Sequence, residues 1–141
     1  MNWMQRLFIL LIFSTSLGSF ASPSNNPLMQ KGWAALVKDD ETEAFRYFWQ
    51  AYEKAKKDKN TLDKAESLLY LGICSYGSSL EKGLQFVTQS LSEYKSLEKT
   101  HNEKALVGRY KCLQLISTIY IQQKKNKEAK LEIAATKKEL D

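Results

Sequence analysis

The sequence predicts an all-α domain of six helices, paired antiparallel, over residues 27–141. Apolar residues recur three and four apart, as in Ala44, Phe45, Phe48, Ala51, Tyr52 and Ala55, the spacing that lines one face of a helix. No stretch alternates with period two, so no half-buried strand is expected. Helix-start signals follow one another closely, and short connections force successive helices to run antiparallel. With 141 residues, 43% hydrophobic and 26% charged, 6 Gly and 2 Pro, the chain has the balance of one globular domain. Collagen-like, low-complexity and multi-domain architectures are excluded.

Each element has a local cause. Asn26-Pro27 supplies an N-cap and a proline at the first helical position, opening a helix over 27–38. Asp40-x-x-Glu43 has the capping-box form and opens 41–57. Asn60-x-x-Asp63, a weaker version, opens 61–76, whose apolar row is Ala65, Leu68, Leu69, Gly72, Ile73 and Tyr76. Ser78-x-x-Glu81 opens 79–97 and Thr100-x-x-Glu103 opens 102–123. The cluster Lys124-Lys125-x-Lys127 falls at an expected turn, followed by a last helix over 127–140.

Residues 1–21 have the three parts of a secretory signal peptide: the basic Arg6, the apolar run Leu7 to Phe13, and a Ser/Thr/Gly-rich end at Ser19-Phe20-Ala21. Cleavage is expected after Ala21, leaving 22–26 as a short linker to the helical domain. An uncleaved membrane anchor is the alternative, but the apolar run falls short of the roughly 18–20 residues that span a bilayer. The expected address is therefore exported, periplasmic or secreted.

Internal similarity comes next. Ala65 to Ile73 (AESLLYLGI) and Ala105 to Leu113 (ALVGRYKCL) share Ala, Tyr and a terminal apolar residue at a shift of 40. Ala44-x-x-x-Phe48-x-x-Ala51, Gly83-x-x-x-Val87-x-x-Ser90 and Ala129-x-x-x-Ile133-x-x-Thr136 each set a large residue between two small ones. Small residues admit a neighbouring helix, and the large one fills the gap. Gly72 should accordingly face a close crossing.

With Leu71-Gly72-x-x-x-Tyr76, Ile116-x-x-x-Tyr120, Asn126-Lys127-Glu128-Ala129 and Gly32, the chain resembles the tetratricopeptide repeat family over roughly residues 27–140. It departs from that pattern in its period of 40 against about 34, in having Cys112 or Ser117 where the third repeat needs Gly, and in lacking the closing Pro. The resemblance implies a short solenoid of about three repeats that binds a protein or peptide partner. It further implies a concave groove lined by the first helix of each pair: Trp33, Leu69, Ile73 and Tyr76, with Arg109, Lys111 or Gln114 from the third, whose register is open.

Charge and chemistry narrow the function. Residues 22–98 hold 10 Lys/Arg against 11 Asp/Glu, whereas residues 99–141 hold 10 against 5. This basic C-terminal third offers a contact to anionic lipid headgroups at a membrane surface; export argues against nucleic acid. Tyr47, Phe48, Trp49 and Tyr52 crowd one segment, so at least one of Tyr47 and Trp49 should reach solvent. Cys74 and Cys112 are expected as buried thiols, since neighbouring helices lie about 8–10 Å apart and a disulfide needs closer α-carbons.

His101 reads as a solvated neighbour of a helix start rather than a general base, and the acidic run Asp39 to Glu43 as favourable charge at a helix N-terminus. No enzyme activity, cofactor or metal site is expected. The expected function is that of an exported scaffold. The alternative is the sensor or assembly end of a longer membrane signalling protein, suggested by Asp141 following a repeat with no distinct capping helix.

Overall fold

The computed structural model describes residues 25–140 apart from 98 and 101. The expected signal segment, the expected cut after Ala21, most of the expected linker and His101 lie outside the described residues. Within them the chain is all-helical: α1 (Pro27–Val37), α2 (Glu41–Lys57), α3 (Thr61–Ser75), α4 (Leu80–Ser96) and α5 (Asn102–Leu140). Five helices form among the described residues, not six.

The starts of the first three helices follow from local chemistry. Asn26 Oδ1 accepts from the Leu28 amide at 3.0 Å with Pro27 at the first position, Asp40 Oδ1 from Glu43 at 3.1 Å, and Asn60 Oδ1 from Asp63 at 3.0 Å. At α4 the cap is one residue later than expected. Ser79 accepts from Lys82 at 3.2 Å, while Ser78 turns its hydroxyl back to the Ser75 carbonyl at 3.1 Å. Thr100 likewise donates to the Leu97 carbonyl. Ser79→Ala is expected to cost about 1 kcal/mol and Ser78→Ala less than half of that; chemical denaturation of both variants checks the order.

The first two reversals share one turn. After α1, Asp39 adopts φ 68°, its amide donating to Leu36 and that of Asp40 to Ala35. After α2, Lys59 adopts φ 52°, its amide donating to Lys56 and that of Asn60 to Ala55. These paired bonds satisfy the last carbonyls of one helix with a left-handed residue that normally is glycine. The residue that closes the turn then caps the next helix, which is why only three residues separate the helices. Asp tolerates the left-handed region better than Lys. Lys59→Gly is expected to raise stability by about 0.5–1 kcal/mol, seen as a rise of a few degrees in Tm.

Neighbouring helices pack antiparallel. Ser90 Oγ of α4 donates to the Ala65 carbonyl of α3 at 2.6 Å, and Lys64 pairs with Glu93 at 2.7 Å across the same pair. Gly72, as expected, lies at a crossing: a Cβ there would stand 3.3 Å from the Gly83 carbonyl oxygen and from Leu115 of α5. Tyr94 of α4 covers Gly108 of α5. Alternate helices also touch, Trp33 on Tyr70 between α1 and α3 and Phe45 on Phe86 between α2 and α4. The result is two layers, with α1, α3 and α5 in one and α2 and α4 in the other. Ala44, Phe48 and Ala51, and likewise Gly83, Val87 and Ser90, are all buried, so the small-large-small motif forms the seam in both helices.

The expected turn at Lys124 to Lys127 is helical. No Gly or Pro follows Gly108, and Lys, Gln and Glu are strong helix formers. Gln122 bonds Asn126 at 2.9 Å and Lys124 reaches Glu128 at 4.0 Å, each one turn apart. The predicted fifth and sixth helices therefore merge into one of 39 residues. Its third copy of the motif forms no buried seam: Ala129 and Ile133 are exposed.

Candidate functional site

The structure separates the seven groove candidates into a buried set and a half-buried set. Leu69 and Ile73 of α3 and Tyr76 at its C-cap belong to the core, along with Leu68, Tyr70 and Leu71. A continuous apolar run such as Leu68-Leu69-Tyr70-Leu71-Gly72-Ile73-Cys74 is itself the signal of a helix covered on every side. Burial pushes the Tyr76 and Tyr70 phenols far above their ordinary range, with carboxylates at Glu41 and Glu66 adding to it. Both phenols stay neutral.

Trp33 is half-buried and meets Tyr70 edge-on with centroids 6.3 Å apart. Arg109, Lys111 and Gln114, half-buried on α5, flank the residues that pack inward, Gly108, Cys112 and Leu115. Burial lowers the Lys111 ammonium from its usual value, opposed by the attraction of Glu66. At the shift of 40, Ala65 and Ala105, Leu68 and Gly108, and Gly72 and Cys112 are buried alike, whereas Tyr70 is 1% exposed and its counterpart Tyr110 is 60% exposed. Cys112 and Gly108 meet Ser90 and Tyr94 of α4.

Cys74 and Cys112 are free and buried. Cys112 donates to Ser90 Oγ at 3.3 Å. Burial pushes its thiol up to about 11 in spite of that bond, so it is unreactive as a nucleophile at neutral pH. Burial raises Cys74 further. Among the described residues no group of three or more His, Cys, Asp or Glu is placed to hold a metal ion. No helix among them is long and apolar enough to cross a membrane.

Two surfaces stand out by side-chain chemistry. On α2, Phe45 stacks on Trp49 at 6.2 Å and Trp49 leans on Tyr52 at 5.4 Å. This ridge continues onto Phe86 of α4, and Trp49 is exposed at its crest, as the crowding of aromatics in this segment predicts. Arg46 sits over the Tyr47 ring at 4.4 Å and Lys56 over Tyr52 at 5.3 Å. On α5, exposed Leu106, Tyr110, Leu113, Tyr120 and Leu131 share a helix with exposed Lys124, Lys125, Lys127 and Lys130. Sequence reading missed the α5 residues because it assigned the second half of that helix to cover the first. Compared with protein-family models, with curated proteins and with solved structures, the chain finds no match in any of the three.

Proposed function

We propose that this chain is an exported helical-repeat scaffold that binds a protein or peptide partner and carries out no reaction of its own. The observation that supports it best is the repeated seam: Ala44, Phe48 and Ala51 on α2 and Gly83, Val87 and Ser90 on α4 close two successive pairs in the same way. Units that pack only on their neighbours build an extended surface, and such surfaces are used for recognition. Aromatic side chains dominate partner affinity, which favours Trp33 and the Trp49 ridge as contacts, with Arg109, Lys111 and Gln114 on α5, in the same layer as Trp33. The tetratricopeptide resemblance and the secretory-type N-terminus complete the reading. The basic end of α5 adds a membrane-surface contact to it.

Intact-mass measurement on protein recovered from the cell envelope tests export, a chain beginning at Ser22 being the expected species. Capture from the same envelope tests binding: Trp33→Ala and Trp49→Ala should each reduce recovery of a defined partner band, and Lys57→Ala, exposed on α2, should not. A retained segment 1–21, or capture insensitive to both tryptophans, would sink the reading.

A second reading is the sensor or assembly region of a longer membrane signalling protein. It is favoured by α5, whose exposed second half runs on beyond the packed helices. Reading the coding sequence past codon 141 decides between them.

A further inference from the structure

On α5, Leu106, Tyr110, Leu113, Ser117, Tyr120 and Leu131 fall on a single stripe. Successive steps from Leu106 to Tyr120 are of four, three, four and three residues, the repeat of a helix seam. Eleven residues, or about three turns, carry the same line on to Leu131. The five large side chains are 63%, 60%, 51%, 55% and 63% exposed in chain order. The stripe lies away from Ala105, Gly108, Cys112, Leu115 and Ile119, which are buried on the opposite side of the helix. It is the flank on which a following antiparallel helix would pack. Residues 127–140 have the composition for that role, but as part of one continuous helix they cannot fold back onto its first half.

We propose that a second copy of this chain covers the stripe, the two α5 helices lying antiparallel about a twofold axis near Gln122. One helix carries both halves of the interface. With the axis there, Leu113 of one copy meets Leu131 of the other and Tyr120 meets the stem and ammonium of Lys124, a cation over an aromatic face. Charge selects this orientation. In a parallel pair Lys124, Lys125 and Lys127 would face their own copies. Antiparallel, Lys124 and Lys127 lie across from Tyr120 and Ser117, and Glu103 in the first turn approaches Lys137 and Lys138 in the last.

The size is sufficient for a specific but modest contact. Five large side chains exposing about 100 Å² each give about 500 Å² per copy, at the upper end of apolar patches on monomers. Two copies then bury about 1,000 Å², the lower bound for specific association. Because α5 is basic overall, the dimer tightens as salt rises, opposite to the behaviour of a lipid-headgroup contact.

Sedimentation velocity on the purified chain, run over concentration and at low and high salt, tests this. The unmodified chain should self-associate at concentrations up to about 100 μM. Leu113→Glu and Leu131→Glu should each weaken association by at least about tenfold with an unchanged helical circular-dichroism signal, since both sites are exposed. The double variant Leu113→Glu, Leu131→Lys should restore it, because each new carboxylate then faces a new ammonium on the other copy. A chain monomeric throughout this range would leave the stripe to a different protein or to its own refolded end, and would overturn the proposal. So would association that survives both single substitutions, association broken at Leu113 but not at Leu131, or failure of the double variant to restore it.

Discussion

Replacing Phe48 with alanine is expected to cost about 3–5 kcal/mol, the range for removing a buried aromatic side chain. The ring is fully buried on α2 and stacks on Tyr70 of α3 at 4.9 Å with 23° between planes. Its other side lies against Gly32 of α1, where a Cβ would come within 2.5 Å of the ring. Phe48 thus ties the first three helices together, and its loss opens a cavity among three elements at once. For a domain of ordinary stability, about 5–15 kcal/mol, this removes a large share. Chemical denaturation measures it, with Gln89→Ala on α4 as the exposed control, expected within about 0.5 kcal/mol of the parent. Gly32→Ala should reverse sign between the two backgrounds. Alone it drives a methyl into the ring; in the Phe48→Ala background the methyl enters the cavity and the helix gains about 1 kcal/mol of propensity. A cost below about 1.5 kcal/mol for Phe48→Ala would mean that this ring does not carry the seam.

What the sequence discloses and what it hides divide along a physical line. A helix start is local: Asn26, Asp40 and Asn60 need only reach an amide two or three residues on, and all three do so. Ser78 and Ser79 are equivalent by that measure, and the choice between them rests on the carbonyl of Ser75, which only the folded turn presents. The end of α5 is non-local, because a helix of good formers stops only where tertiary contacts reward reversal. Nothing between Lys124 and Lys127 forces a break, so the motif at Ala129 to Thr136, similar in sequence to two buried seams, is left without one.

Side-chain exposure is also a property of neighbours. Leu69 and Ile73, with Tyr76 at the C-cap, belong to a helix flanked by α2 and α4 and touching α1 and α5, and are buried. Periodicity alone could place them on a face but could not say how many helices cover that face. Trp33 remains half-buried because α1 has fewer described neighbours.

The crossing of α3 and α4 gives the other large effect. A Cβ on Gly83 would stand 2.5 Å from the Cβ of Tyr76 and 2.8 Å from its Cα, positions that no rotamer change relieves. The two helices must separate, and Gly83→Ala is expected to cost about 2–3 kcal/mol net of the roughly 1 kcal/mol that alanine returns in helix propensity. At Gly72, on the facing helix, the nearest atoms to an added Cβ are the Gly83 carbonyl oxygen and Leu115 Cδ2, both at 3.3 Å, and the Val87 amide nitrogen at 3.4 Å. Leu115 can shift and the backbone can yield by tenths of an ångström, so there the propensity gain roughly offsets the crowding and Gly72→Ala should fall within about 1 kcal/mol of the parent. Gly72→Leu, which adds three more carbons, should cost at least 1–3 kcal/mol. Thermal melts of the three variants rank them. The ranking follows from which neighbour is backbone and which is side chain, so equal losses at Gly83→Ala and Gly72→Ala would show that the crossing lies elsewhere on these helices.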